Sequence, residues 1–214
     1  YRYLYSPLLA TLFCVVELLP FHLERQEAIA YLTWSVANYW AVVIFFLLLI
    51  QSLRLYGVRH RWLWLGVAAA IICNVPIQRT LVYSQANLHV ANLILGFLLL
   101  YRRLPGLSGG LLAFAALLKT SPLLLLAPVV IERKWKVLLG FVIGLAILVG
   151  GSIWIGGIGP WADFFARIAS ITSHGTYRDN SIQSLFMNLG RALGLPGDHA
   201  LLVAAASILS ILAG

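Results

Sequence analysis

Lys119-Thr120-Ser121-Pro122 interrupts an otherwise apolar stretch, residues 107–131, LSGGLLAFAALLKTSPLLLLAPVVI. A cation beside hydroxyls and a proline suits an anion. Thr120 and Ser121 are N-cap candidates, and proline is tolerated at the first helical position. Backbone N–H groups at a helix start favour negative charge, phosphate above all. The lysine lies too far from either basic flank to snorkel back, and a charge at membrane depth is functional by default. The plain alternative is a lysine that emerges on the far surface and is solvated there.

Two further groups of residues carry hydrogen-bonding chemistry. Gln85, His89, Asn92 and Gly96 are spaced four, three and four apart, which places them on one helix face. Such a stripe faces a water-filled cavity or a partner helix, and interhelical hydrogen bonding is its structural explanation. His89 by itself reads as a satisfied buried histidine before a metal ligand. The stretch SHGTYRDNSIQSL holds His174, Tyr177, Arg178, Asp179, Asn180, Ser181, Gln183 and Ser184. It reads as a candidate sugar or acceptor loop, or as an ordinary solvated connector. Arg79 and Arg178 are further cations that could meet a phosphate.

These residues need a scaffold, and composition says which kind. The chain has 214 residues, 61% hydrophobic and only 10% charged. Soluble domains carry about 25% charged residues, so the expected fold is all-α, a polytopic helical integral membrane protein. The net charge of +8 is not a nucleic-acid signature. Eight of the 15 Lys and Arg form three short clusters: Arg54, Arg59 and Arg61; Arg102 and Arg103; Arg133, Lys134 and Lys136. Clustered positive charge between apolar runs marks the cytoplasmic side. Cys14 and Cys73 read as small buried hydrophobes, and no Cys/His spacing suggests a metal.

The clusters fix the organisation. Residues 107–131 have basic flanks at both ends, so the stretch must enter and return. One arm ends near Lys119 and another starts at Pro122, each about 15–18 Å long and too short for an upright crossing. A full-length span is expected at residues 30–53, further spans at 62–77 with a break at Asn74-Val75-Pro76, 85–101 and 137–155, and another opens at 201–213. Asn38 within the first of these reads as a helix–helix hydrogen bond, and Gly140 and Gly144 as a small-residue packing face. Residues 21–27 read as a polar break. Residues 160–173, with Trp161, Phe164, Phe165, Ile168 and Ile171 on one face, read as an interfacial helix. Residues 1–20 fit either a short span or an interfacial helix. By parity, residues 21–27, 78–84, the Lys119 tip and 156–196 share the outer side. The chain does not begin with Met and stops inside an apolar run, so residues 1–214 are expected to be one membrane domain, incomplete at both ends.

Tyr5-Ser6-Pro7-Leu8, Ser84-Gln85-Ala86-Asn87, the Arg102-Arg103 pair, Lys119-Thr120-Ser121-Pro122 and Asn180-Ser181, in that order, resemble one family. It is the glycosyltransferase family 87 domain, the polyprenyl-phosphate-mannose-dependent α-mannosyltransferases of the GT-C superfamily. The resemblance covers nearly the whole chain and about half of such a domain. It implies that the segment near Pro7-Leu8 is a juxtamembrane helix on the outer face. It also implies that Lys119 lies near the donor phosphate. Ser84 stands where the family often has glycine, and Ser181 where it often has glutamine. The catalytic base it implies lies in an outer loop upstream of Tyr1, and Asp179 is the acidic candidate within the chain.

The expected activity is transfer of a sugar, mannose first, from a polyprenyl-phosphate donor to an extracytoplasmic glycolipid or glycan. The expected setting is a bacterial plasma membrane with the active side outside. The lipid-linked sugar is a substrate, and no cofactor, metal or nucleic acid is expected. The expected donor phosphate set is Lys119, Thr120, Ser121, Arg79 and Arg178. The expected sugar or acceptor set is Gln85, Asn87, His89, His174, Tyr177, Asn180, Ser181 and Gln183. The competing class is a lipid or solute transporter or flippase, since broken helices also form transporter sites. Against it, the sequence shows no matching second broken helix and no internal symmetry. A structural or assembly subunit is the third reading.

Overall fold

The structure is a computed structural model that describes Pro7, Leu8, Thr11 and residues 23–83 and 85–170, with side chains left aside at 23–27 and 167–170. The chain divides into two compact units, Tyr1–Phe164 and Phe165–Gly214. Among the described residues of the first unit every regular element is helical. In order they are α1 (Leu23–Leu55), α2 (Leu63–Ile72), α3 (Val75–Val82), α4 (Asn87–Leu100), α5 (Pro105–Leu118), a 3₁₀ segment (Ser121–Leu125), α6 (Leu126–Ile131), α7 (Trp135–Gly156) and α8 (Gly159–Ser170). The last of these continues into the second unit.

Two helices, α1 and α7, are long and apolar enough to cross a membrane, and the bent pair α2–α3 makes three if taken as one span. Their outer surfaces match that role. On α7, Leu139, Ile143 and Ile147 recur every four residues and are exposed by 61, 49 and 66%. Such a stripe suits lipid and not water. The protein is an all-helical membrane protein, as its composition implies.

Helix directions follow from the contacts. Asn92 on α4 donates to the Ala41 carbonyl on α1 at 2.8 Å, and the His89 ring stacks on Trp34 at 4.9 Å. Both sequence numbers rise together, so α1 and α4 run parallel. α5 runs back along α4, since Ser108 donates to the Phe97 carbonyl at 3.0 Å while Lys119 reaches Asn87. α7 runs parallel to α5. Gly140 lies on the Gly106 backbone and Gly144 on Gly110, and Gly109 lies on Val137 and Phe141. A Cβ at Gly109 or Gly140 would strike main-chain atoms, so the two backbones touch. This is the small-residue face expected at Gly140 and Gly144. It matters because lipid gives helices no hydrophobic reason to associate, leaving close packing to hold them. Phe97, Leu112, Val129, Val137 and Phe141 form the core beside it.

The α5–α6 pair returns as its flanking charges require. Tyr101, after α4, donates to Glu132, after α6, at 3.1 Å. The chain therefore leaves the basic end, turns at Lys119 and comes back. The turn has a covalent cause. Pro122 has no N–H to offer the Leu118 carbonyl, and its ring would clash there, so an α-helix cannot run through. Lys119 is extended, with φ −153° and ψ 136°.

Several boundaries differ from expectation. Residues 23–27 are helical, not a break, because Leu, Glu, Arg and Gln are good helix formers whatever their polarity. Residues 78–82 continue a helix beyond the expected end of the span at 77. Asn74 caps it by accepting from the Ile77 N–H at 2.9 Å, with Pro76 in the first turn. The bend between α2 and α3 is 56°. α4 has 14 residues, about 21 Å, and so falls short of a full crossing of about 30 Å. Thr11 lies 3.3 Å from where a Cβ on Gly156 would be, at the end of α7 away from the basic clusters. The rest of the 1–20 segment and the span opening at 201–213 lie outside the described residues.

Candidate functional site

The short α4 and the broken α5 end at the same level, and there the site candidates meet. Lys119 Nζ donates to Asn87 Oδ1 at 3.2 Å, and Asn87 Nδ2 donates to Gln85 Oε1 at 2.7 Å. Three residues from two separate stretches of sequence thus form one hydrogen-bonded row. Gln85 is itself positioned by its backbone N–H, which donates to the Thr80 carbonyl at 2.9 Å. Lys119 is exposed, while Gln85 and Asn87 are half-buried. An ammonium has three donors, and Asn87 takes one. Among the residues whose side chains are described, no carboxylate pairs with Lys119. The row therefore holds an oriented cation with donors to spare, fixed by neutral amides that do not cancel its charge.

Thr120 and Ser121 are exposed beside it. They do not cap the second arm. Thr120 adopts φ −69° and ψ −26° and makes no side-chain cap bond. A capping residue needs a non-helical backbone to turn its oxygen toward the next N–H groups, and Thr120 is already helical. The second arm begins as a five-residue 3₁₀ segment followed by six α-helical residues. Its dipole is correspondingly small, so the charge that an anion would meet is mainly that of Lys119.

Below the row, a cavity of about 370 Å³ opens between α1, α4 and α5. Its polar lining is His89 and Asn92, and its apolar lining includes Trp34, Leu93, Phe114 and Leu118. Leu118 directly precedes Lys119, so the cavity reaches the tip. The expected stripe divides here. Gln85 joins the Lys119 row, Asn92 bonds across to α1, and Gly96 leaves room for Leu111. His89 stacks on Trp34 and its Nε2 is buried without a hydrogen-bond partner. It lines the cavity but is not the satisfied core histidine first expected.

Trp34 was missed by sequence reasoning. Its signal was the spacing Trp34, Asn38 and Ala41, which turns one face of α1 toward α4. Asn38 was expected to hydrogen-bond between helices. It is 2% exposed, and neither amide atom has a partner. Arg79 is exposed on α3, and no described contact ties it to the row. On α8, Trp161 is buried and donates to Ser152 Oγ at 2.6 Å. His174, Tyr177, Arg178, Asp179, Asn180, Ser181, Gln183 and Ser184 lie outside the described residues, as does Ser84.

A family model, glycosyltransferase family 87, matches residues 3–214. No curated protein and no solved structure gives a match.

Proposed function

Because the chain belongs to glycosyltransferase family 87, and is thus a membrane glycosyltransferase, we propose that it moves a sugar, mannose first, from a polyprenyl-phosphate donor to an extracytoplasmic glycolipid or glycan. The observation that carries this is the Lys119–Asn87–Gln85 row at the tip of a broken helix pair. A polyprenyl phosphate is a good leaving group, so no general acid is required, unlike glycoside hydrolysis. The bond from the anomeric carbon to the phosphate oxygen breaks, and the lipid phosphate keeps the electron pair. The acceptor oxygen bonds to that carbon and gives its proton to a carboxylate. Lys119, assisted by the Thr120 and Ser121 hydroxyls, meets the charge that builds on the phosphate. Arg79 and Arg178 are the further cations proposed for it. The apolar side of the cavity, at Leu111, Phe114 and Leu118, takes the adjoining part of the prenyl chain. Gln85, Asn87, His89 and the loop residues His174, Tyr177, Asn180, Ser181 and Gln183 bind sugar or acceptor. Asp179 is the base candidate proposed within this chain.

The test is transfer from a polyprenyl-phosphate sugar by the purified full-length protein. Lys119→Ala should lower turnover about 10²–10³-fold, the usual cost of one lost contact to a developing oxyanion. Lys119→Arg should keep part of the rate, because charge survives although the compact ammonium does not. Lys119→Met should match alanine in rate with a better folded yield. A methionine variant with parental turnover would sink the phosphate assignment.

A further inference from the structure

The end of the bundle away from Lys119 carries a second set of cations that the transfer chemistry does not use. Arg102 and Arg103 follow α4, while Arg133, Lys134 and Lys136 lie at the α6–α7 junction. The fold brings these two groups together. A hollow of about 660 Å³ is lined by Arg102, Arg133, Lys134 and Lys136, with Tyr101 and Trp135 beside them. A second hollow of about 600 Å³ shares Tyr101, Arg102 and Lys134 and continues along Leu95, Leu98 and Leu99 on α4. The carboxylate in the groove, Glu132, accepts the Tyr101 hydroxyl.

Backbone strain marks the same place. Arg133 has φ +54°, the left-handed region that disfavours residues with a Cβ. It occupies the turn after α6, where Lys134 N–H donates to the Val129 carbonyl and Arg133 N–H to the Val130 carbonyl. The same bond pair closes α1: Val58 N–H meets the Leu53 carbonyl and Gly57 N–H meets that of Arg54. There the left-handed residue is Gly57, the usual choice for this motif. At the α6 end an arginine is kept where glycine would be less strained. Strain retained at one position points to a task for its side chain.

We propose that this groove binds an anionic phospholipid from the leaflet on the basic side of the protein. Its phosphate sits among Arg102, Arg133 and Lys134, and an acyl chain lies along Leu95, Leu98 and Leu99. Basic pockets between membrane helices suit such headgroups, and arginine grips phosphate in a fork. Trp135, 63% exposed, stands where an indole favours the headgroup level. The apolar wall is what a soluble anion would leave empty. The lipid bridges the start of α5 to the end of α6, which are the two roots of the broken pair.

The experiment measures lipid retained by the full-length protein in mixed micelles by native mass spectrometry. The probes are phosphatidylglycerol, phosphatidylcholine and inorganic phosphate. Phosphatidylglycerol should be held and phosphatidylcholine should not, with loss at high salt. Arg102→Gln/Lys134→Gln should weaken phosphatidylglycerol about thirtyfold, at about fivefold per cation. Arg59→Gln/Arg61→Gln removes the same charge outside the groove and should change it little. Arg133→Gly relieves the backbone, so it should raise the unfolding temperature in zwitterionic micelles while weakening phosphatidylglycerol about fivefold. Equal loss from both double variants would reduce the groove to diffuse surface charge and overturn the proposal. So would retention of phosphatidylcholine as tight as that of phosphatidylglycerol, or displacement of the lipid by millimolar inorganic phosphate.

Discussion

At the scale of single residues, the amide of Asn87 decides what Lys119 can do. A neutral oxygen at 3.2 Å orients the ammonium without neutralising it. Asn87→Asp keeps the shape and adds a negative charge that competes with any bound phosphate. Turnover in the donor assay should fall by about tenfold or more, as for losing a charge-assisted contact of about 1.5–3 kcal/mol, while folded yield is unchanged. Parental turnover in that variant would mean the row is structural. Asn38 gives the opposite test. Its buried amide has no partner, so Asn38→Leu should leave stability unchanged or raise it by up to about 1–3 kcal/mol. A lower unfolding temperature would mean that Asn38 holds a water or ligand. Lys119 was legible in the sequence because a charge in an apolar run stands out by type alone. The fates of Asn38, His89 and Asn92 were not legible. A stripe has two sides, and which helix it meets depends on how far α1 rotates toward α4.

At the scale of elements, breaks were easier to read than lengths. Pro76 and Pro122 forbid a continuous α-helix, and both positions break. Helix starts were hidden wherever polar residues are also good helix formers, as at residues 23–27. The Gly140 and Gly144 spacing showed a packing face but not its partner. That partner is α5, through Gly106, Gly109 and Gly110. Gly140→Ala would place a methyl on the Gly106 main chain, which cannot move aside like a side chain. It should destabilise by about 1–3 kcal/mol, read as a lower unfolding temperature in detergent. Gly150→Ala meets open space and should be neutral or slightly stabilising, since alanine is the better helix former. Equal effects from the two variants would refute the α5–α7 contact.

At the scale of the whole molecule, the three basic clusters of the sequence gather at one end and the Lys119 row at the other. Composition and charge spacing sufficed to foresee this, because each cluster is local in sequence and each apolar run has only two ends. Cysteine labelling in intact cells tests the orientation, in a background lacking Cys14 and Cys73. Cysteines at Tyr56 and Trp135 should resist an impermeant thiol reagent, and one at Ser121 should react. The reverse pattern would invert the molecule and overturn the proposed extracytoplasmic site. The glycine contact between α5 and α7 then has a consequence for substrate choice. Lys119 stands 13 residues beyond Gly106, about 20 Å of stiff helix at 1.5 Å per residue. Where α5 locks onto α7, near the basic surface, therefore sets how deep in the bilayer the ammonium stands. For the proposed lipid-phosphate donor, the protein is then a gauge with its zero mark at Gly106, matched to donors whose phosphate floats at the height the gauge reads.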